Sequence, residues 1–415
     1  MSVRHAYSSR LRARRTTAAV AWGVACVVAL CSAVSGCTTS AGDSASAEVS
    51  SPAASSKAPP VSQASVTSNV GDRDAFVPVD EVVELVAHSG TFDEVSVAIG
   101  EDSTQLKGKL SADKTTWTST DRLEPGLRYL VETVATDADG LPVETASEFR
   151  TDDLSLDEQT FPSIAPLQGE KVGVGMPAIV QFDVAVTDRA AIERHLSVRT
   201  SPKQIGAWHW ISDHEIHWRP KRYWEPGTRV TIDADINSVD AGNGIFGQIS
   251  RSTSFVIGNS VVSKVDIAHH RMKVFINAKL ARTVPISAGM PGFITRSGTK
   301  VIIEKVRRKV MDATTIGIPT NSPNYYNIEV EYAMRVTYSG EFLHAAPWST
   351  GSQGVENVSH GCVGMGTSAA AWLFDITKRG DLVKVSGSQR HMTLTNGYGD
   401  WNASFADYKA GSALS

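Results

Sequence analysis

Beyond about residue 76, apolar and polar residues alternate along much of the chain. Every second residue is apolar in the run 230–236, the run 129–135 follows the same pattern except for Thr133, and turns rich in Gly, Pro and Asp separate these runs. An alternation of period two predicts strands with one buried face. We therefore expect a mainly β protein.

One sequence motif occurs twice, about a hundred residues apart. The triplet Glu-Pro-Gly lies at 124–126 and again at 225–227, and each copy precedes an alternating run and a turn. A repeat of this length built from short strands predicts two tandem immunoglobulin-like β-sandwiches. We place them at residues 76–152 and 153–257, and neither range contains a cysteine pair.

The first 36 residues have a different composition. Five arginines within the first fifteen residues precede an apolar run at 18–30, which is too short to cross a bilayer comfortably. This pattern predicts a signal peptide at residues 1–36. The sequence Val-Ser-Gly-Cys at 34–37 resembles the lipobox of bacterial lipoproteins, although a chance cysteine behind an ordinary signal peptide remains the alternative. The resemblance implies that Cys37 is lipidated and anchors an exported protein to the outer face of the cytoplasmic membrane, facing the cell wall.

Residues 37–75 are rich in Ser, Ala, Thr and Pro and contain few large apolar side chains. Such a segment cannot build a core. We interpret it as a flexible tether that holds the globular part away from the membrane, or as a plain solvated linker.

Composition narrows the functional classes. The chain has 415 residues, of which 41% are hydrophobic and 20% charged, with 40 Lys and Arg against 44 Asp and Glu. These values exclude a wholly disordered chain and a nucleic-acid binder that relies on bulk positive charge. The length predicts two or three domains.

The segment 208–218 carries three histidines among aromatic residues. His214 and His217 are three positions apart, but in a strand this spacing places them on opposite faces. We interpret the aromatic residues as packed and the histidines as solvated, rather than as a metal site.

The four cysteines leave one free thiol. Cys26 and Cys31 lie in the predicted signal peptide and Cys37 is the predicted lipid attachment site, so Cys362 remains alone and cannot form an intramolecular disulfide. A lone thiol in an exported protein is either buried and inert or used as a nucleophile.

The neighbourhood of Cys362 favours the nucleophile. Ser359, His360 and Gly361 precede it directly, and His344 lies eighteen residues before it. A thiol needs a base to become a thiolate, and a Gly beside it allows backbone N–H groups to approach an oxyanion. Residues 367–377 read as a helix that follows directly after the cysteine and adds its positive end to the thiolate's stabilisation.

These residues resemble the signature of the L,D-transpeptidases of the YkuD fold, which is a His, fourteen to seventeen residues, and then Ser/Thr-His-Gly-Cys. Fourteen residues separate His344 from Ser359. The closest resemblance is to the actinobacterial lipoprotein type with two immunoglobulin-like domains. It implies a β-rich YkuD catalytic domain at 258–388 with a short helix after the cysteine, and a C-terminal packing segment at 389–415.

The resemblance also implies residue roles. Cys362 corresponds to the nucleophile, His344 to the base, the Ala345 carbonyl to the group that orients the imidazole, and the N–H groups of Gly361 and Cys362 to oxyanion donors. The implied substrate pocket contains Ser359, His360, Met311, Tyr326 and Trp348. No cofactor and no metal is implied.

The implied reaction is attack on the carbonyl between the third and fourth residues of a peptidoglycan tetrapeptide stem. D-Ala leaves, and a diaminopimelate amine of a second stem accepts the acyl group, giving a 3→3 cross-link. Carbapenem β-lactams are the implied covalent inhibitors. Two alternatives remain open: an L,D-carboxypeptidase with the same Cys and His, or a lipid-anchored wall-binding scaffold without activity. The scaffold is motivated by Gly364, where the family usually has Asn or Arg, and by Ile316, where it often has Tyr.

Overall fold

The computed structural model describes residues 60–100 and 104–415. The predicted signal peptide, the lipidation site Cys37 and most of the predicted tether lie outside the described residues. No helix within the described ranges is long and apolar enough to cross a membrane.

The first domain is a β-sandwich of two sheets, with strand orders β1-β2-β6-β5 and β4-β3-β7-β8. Its strands are β1 Ser65–Ser68, β2 Glu84–His88, β3 Gly90–Ile99, β4 Thr104–Gln105, β5 Gly108–Leu110, β6 Thr116–Ser119, β7 Arg128–Asp137 and β8 Pro142–Arg150. The alternation at 129–135 is confirmed, because buried and more exposed residues alternate along β7. Its inward side chains meet Trp117 and Phe149 in one core.

The N-terminal boundary of this domain requires a correction. Strand β1 lies within the predicted tether but pairs with β2, and Ala64 and Val70 beside it are buried in the core. The sequence missed it because β1 is an edge strand whose side chains are mostly exposed, so its Ser and Thr residues show little apolar periodicity.

The second domain is also a β-sandwich, with strand orders β10-β12-β15-β14 and β11-β19-β16-β13 and a small additional sheet, β17-β18-β9. Its strands are β9 Gln159–Thr160, β10 Pro162–Ala165, β11 Lys171–Val172, β12 Ala178–Phe182, β13 Leu196–Ser201, β14 Gly206–Ser212, β15 Glu215–Pro220, β16 Arg229–Ala234, β17 Asp240–Gly242, β18 Ile245–Gly247 and β19 Arg251–Ile257. The short helix α1 spans Arg189–Arg194. Trp224 and Phe255 pack edge to face at the centre of the core.

The third domain packs two sheets around a third core, with strand orders β22-β21-β20-β28-β23 and β24-β25-β26-β27. Its strands are β20 Val261–Asp266, β21 Arg271–Ile276, β22 Lys279–Pro285, β23 Gly298–Val301, β24 Glu304–Asp312, β25 Asn327–Arg335, β26 Phe342–Ala345, β27 Val363–Met365 and β28 Leu382–Ser386. Helix α2 spans Thr367–Ile376, and helix α3 spans Phe405–Lys409 near the C-terminus. The predicted short helix after Cys362 is therefore present.

The position of α2 differs from the prediction. Strand β27 lies between Cys362 and the helix, and Gly366 precedes the first helical turn. Three strand residues extend about 10 Å, so the helix does not begin at the cysteine. The positive end of a helix acts mainly within its first turn, and α2 therefore does not supply the predicted stabilisation of the thiolate.

The C-terminal segment joins the second sandwich to the catalytic domain. The indole of Trp401 donates to the carbonyl of Gly175 at 2.7 Å, and Tyr408 is fully buried. Val301, Leu382 and Tyr398 belong to the same apolar cluster as the second sandwich. The two domains thus share part of one core.

The prediction that the histidines of segment 208–218 are solvated is wrong for His217. Its ring is 1% exposed and lies between the carboxylates of Glu215 and Asp400, at 2.6 and 2.9 Å. Tyr408 donates its hydroxyl to Asp400 as well. The sequence could not reveal this contact, because Asp400 is 183 residues away along the chain.

Candidate active site

Parallel pairing of β26 and β27 brings His344 and Cys362 into one cleft. His344 lies opposite Gly364, and Cys362 directly precedes β27. Both residues line the same cavity, which has a volume of about 320 Å³. The chain between the two strands turns back so that β27 runs parallel to β26, and this places His344 and Cys362 close together although eighteen positions separate them.

The imidazole of His344 is held in one orientation. Its Nδ1 lies 2.7 Å from the carbonyl oxygen of Ala345, the contact that the sequence analysis predicted. A carbonyl only accepts hydrogen bonds, so Nδ1 carries a proton and Nε2 of the neutral ring is free to accept one. Burial lowers the pKa of His344, although the Ala345 carbonyl opposes this effect. The ring is therefore neutral near neutral pH.

The thiol of Cys362 is protonated and buried. Burial raises its pKa to about 12, and the N–H of Phe342, which donates to the sulfur, only partly offsets this rise. The thiol donates to the carbonyl of Gly340 at 3.7 Å. No hydrogen bond joins its sulfur to the His344 ring, both residues lying within the described ranges. The resting pair is thus neutral, and the thiol must turn from Gly340 toward Nε2 before it can give up its proton.

The loop that carries the cysteine is fixed on both sides. Ser359 donates its hydroxyl to the carbonyl of Cys362 at 2.6 Å and accepts the N–H of Gly361 at 3.1 Å. Thr295 donates to the Gly361 carbonyl at 2.9 Å. Gly361 has a φ of 120°, a conformation that favours glycine. In this conformation its N–H is engaged with Ser359, so its predicted role toward an oxyanion stays a prediction.

All five residues of the predicted substrate pocket lie in the cleft with Cys362 and His344. The lining residues are Ser287, Met311, Tyr326, Ile328, His344, Ala346, Trp348, Ser349, Val358, Ser359, His360, Cys362 and Gly364. The sequence motif did not identify Ser287 or Ile328, which come from distant segments. Their separation from the motif left no local signal that could have found them.

Aromatic rings form two sides of the cleft. His360 packs against Phe293 and Tyr326, with ring centroids 4.6 and 4.9 Å apart. Its Nε2 is buried and has no hydrogen-bond partner among the residues that the structure describes. Trp348 stacks on His344 with centroids 5.9 Å apart and remains 57% exposed. The cleft thus offers a substrate one open aromatic face, that of Trp348, whereas the unpaired nitrogen of His360 is covered.

The two departures from the family pattern occupy different places. Gly364 lies in the main cleft, where a Cβ would come within 2.9 Å of the Ala346 Cβ. Ile316 lines a neighbouring cavity of about 190 Å³ and packs against Gly340. Ile316 is therefore not among the residues that line the main cleft, whereas Gly364 lines it without a side chain.

Comparison with known proteins agrees with this geometry. Residues 260–385 match the L,D-transpeptidase catalytic domain called YkuD, and residues 74–240 match a bacterial Ig domain. The chain is 34% identical over 349 residues to L,D-transpeptidase 2 of Mycobacterium tuberculosis, a match that covers 84% of this chain and 85% of that protein. The chain belongs to the L,D-transpeptidase family.

Two further L,D-transpeptidases are similar to this chain. L,D-transpeptidase 5 of Mycobacterium tuberculosis is 31% identical over 358 residues, covering 82% of this chain and 76% of that protein. A solved structure of an LD transpeptidase in complex with imipenem is 38% identical, with a TM-score of 0.48, and covers 54% of this chain and 97% of that one. The mainly β fold with immunoglobulin-like and YkuD parts is the architecture of this L,D-transpeptidase family member.

Proposed function

We propose that this protein is a peptidoglycan L,D-transpeptidase that forms 3→3 cross-links through an acyl-enzyme on Cys362. The observation that carries this proposal is the fixed, neutral imidazole of His344 in the same cleft as the only cysteine of the described residues. A free Nε2 can take the proton of a thiol that is too weak an acid to ionise alone. The arrangement therefore couples deprotonation of the thiol to its attack.

The first half-reaction acylates the cysteine. Nε2 of His344 takes the thiol proton while Sγ of Cys362 attacks the carbonyl carbon between the third and fourth stem residues. The C–N bond then breaks, and the departing D-Ala amine takes the proton from the imidazolium. The third residue remains as a thioester on Cys362.

The second half-reaction transfers the acyl group. The side-chain amine of diaminopimelate on another stem attacks the thioester and gives a proton to Nε2 of His344. The C–S bond breaks, and the leaving thiolate recovers the proton from the imidazolium. Water in place of the amine would give the L,D-carboxypeptidase reaction with the same two residues, so access of the acceptor decides between them.

The cleft walls suggest how the donor stem is held. The unpaired Nε2 of neutral, half-buried His360 is covered in this structure, and a turn of the ring would expose it to one hydrogen bond with the stem backbone. Trp348 and Tyr326 supply apolar surface for the aliphatic part of the third residue. Met311 closes the opposite side.

The proposed location follows from the N-terminal sequence. Lipidation of Cys37 would hold the enzyme on the outer face of the cytoplasmic membrane, where the nascent wall is assembled. Residues 38–59 would then connect the anchor to the first sandwich. Replacing Cys37 by Ser should release the exported protein from the membrane fraction, and retention of this variant in membranes would contradict the proposal.

Covalent capture tests the nucleophile. We expect incubation with a carbapenem to add one inhibitor mass to the peptide that contains Cys362. Cys362→Ala should abolish the adduct, His344→Ala should slow its formation strongly, and His269→Ala, which changes an exposed histidine, should leave the rate unchanged. Absence of an adduct on a folded chain whose thiol still reacts with a small alkylating agent would support the scaffold alternative.

A stem-peptide assay tests the reaction itself. With a disaccharide tetrapeptide as both donor and acceptor, we expect release of D-Ala together with a cross-linked dimer one D-Ala lighter than two substrates. Tripeptide without dimer at every acceptor concentration would indicate the carboxypeptidase instead. Mass spectrometry after fragmentation distinguishes a 3→3 link from other connections.

A further inference from the structure

A buried cluster of charged side chains lies behind the nucleophile and takes no part in the chemistry described above. Lys300 on β23 is 1% exposed, and its Nζ donates to Glu341 Oε2. Arg296 donates to the other oxygen of Glu341, from its guanidinium at 2.9 Å and from its backbone N–H at 3.1 Å. Buried charges are energetically unfavourable in a core, so a cluster at this place calls for a specific role.

Glu341 belongs to the turn that contacts the sulfur. The residue before it, Gly340, provides the carbonyl that accepts the Cys362 thiol at 3.7 Å. The residue after it, Phe342, provides the N–H that donates to the same sulfur. Both backbone groups of Glu341 are also bonded, its N–H to the Thr337 hydroxyl and its carbonyl to the Val336 N–H. Three donors on the carboxylate therefore fix the turn from the side opposite the cleft.

The same cluster acts on the thiol electrostatically. The charge of Glu341 raises the pKa of Cys362 and that of Lys300 lowers it, although burial is the largest influence. Glu341 has the larger effect of the two, and the pairing of its carboxylate with Lys300 and Arg296 limits that effect on the sulfur. The other ionisable groups that line the cleft with the thiol are His344 on β26, Tyr326 before β25 and His360 in the loop before β27.

We propose that Lys300, Glu341 and Arg296 form a positioning unit for Cys362, in which Glu341 holds the Gly340–Phe342 turn against the sulfur and the two cations favour its negative form. This inference rests on the proposed function of Cys362 as a nucleophile. The three residues act through the turn and through their field, and none of them contacts the cleft.

Opposite charge changes provide the test. The pH dependence of iodoacetamide alkylation, followed by the mass of the peptide that contains Cys362, gives the apparent pKa of the thiol in the full-length protein. Lys300→Met should raise this pKa, and the rate of alkylation at neutral pH should fall by about tenfold for every increase of one in the pKa. Glu341→Gln should lower the pKa and speed alkylation. Merely structural damage would move both variants in the same direction.

Matched variants guard against misfolding. Arg296→Gln removes a cation from the edge of the cluster and should act in the direction of Lys300→Met, even if the latter does not fold. Arg308→Gln removes an exposed cation paired with Glu331 on the same domain and should change nothing. The proposal would be overturned if the pKa of Cys362 were the same in the wild type, in Glu341→Gln and in whichever of the two cation variants folds.

The alkylation readout does not depend on acyl transfer. A folded chain that makes no cross-links but shows the opposite pKa shifts would contradict the proposed function and leave the positioning unit standing. Cross-linking activity without these pKa shifts would support the proposed function and contradict the positioning unit.

Discussion

The buried His217 should make the stability of this protein depend on pH in a window where most proteins change little. Burial disfavours a charged ring, but the carboxylates of Asp400 and Glu215 outweigh this effect and raise the pKa of His217 to about 9. The paired carboxylate of Asp400 has its pKa lowered by His217 in spite of its burial. The folded protein therefore keeps a charged His217 between two carboxylates.

The magnitude follows from linkage. An unfolded histidine has a pKa of 6.5, so the folded state binds its proton more tightly by roughly 2.5 units, or about 3 kcal/mol. Because the folded pKa is raised, this stabilisation is fully present below pH 6.5. It is lost as the pH rises from about 6.5 through about 9. Asp400→Asn removes the main partner, which should destabilise the fold by about 3 to 5 kcal/mol at pH 6.5.

Urea unfolding followed by tryptophan fluorescence measures the free energy of unfolding at each pH. Trp218, Trp224 and Trp401 report on it, because they lie at or near the junction between the second sandwich and the catalytic domain. We expect the wild type to lose about 3 kcal/mol between pH 6.5 and pH 9, whereas Asp400→Asn is less stable at pH 6.5 and shows a much shallower decline. His269→Gln, which alters an exposed ion-paired histidine, should keep the wild-type slope. Equal slopes for the wild type and Asp400→Asn would refute the assignment of the charged ring.

Three further outcomes are expected. Ser359→Ala removes the hydroxyl that bonds the Cys362 carbonyl and the Gly361 N–H, so carbapenem acylation should slow by about 10- to 100-fold while thermal unfolding changes little; an unchanged acylation rate would contradict this. Because burial lowers the pKa of His344 below its ordinary value of 6.5, the loss of acylation rate on acidification should have its midpoint below pH 6.5; a midpoint above 6.5 in the stopped-flow profile would argue against it. Arg122→Ala removes the guanidinium that donates to two carbonyls of the second sandwich, so X-ray scattering should detect a wider range of orientations of the first sandwich. Carbapenem acylation should stay unchanged as the control. An unaltered scattering profile would disprove the role of this arginine.

Local patterns determined most of what the sequence could predict. Alternation along β7 and β16 located the sandwich strands, because a half-buried strand imposes its period on the residues themselves. The motif that contains His344 and Cys362 predicted the cleft, because its two residues lie on or beside the paired strands β26 and β27. The role of the Ala345 carbonyl came from the family resemblance, and the structure places that carbonyl 2.7 Å from Nδ1 of His344.

Contacts between distant segments were beyond reach. The partner of His217 is Asp400, and the partner of Lys300 is Glu341, each brought together only by packing of separate elements. A polar residue that is buried with a distant partner looks the same in sequence as one that is solvated. Edge strand β1 was missed for a related reason, because a mostly exposed strand needs no apolar alternation.

The two domain junctions differ in kind, and this difference predicts different mobility for the two sandwiches. The first sandwich meets the second through polar contacts around Arg122. The second meets the catalytic domain so closely that a Cβ at Gly173 would lie 2.2 Å from the backbone of Asp381, and Leu382 of the catalytic sheet completes the core of the sandwich. Apolar burial shared across a boundary makes two domains unfold together, whereas a few exposed hydrogen bonds permit reorientation. The second sandwich should therefore unfold together with the catalytic domain, whereas the polar junction lets the first sandwich reorient.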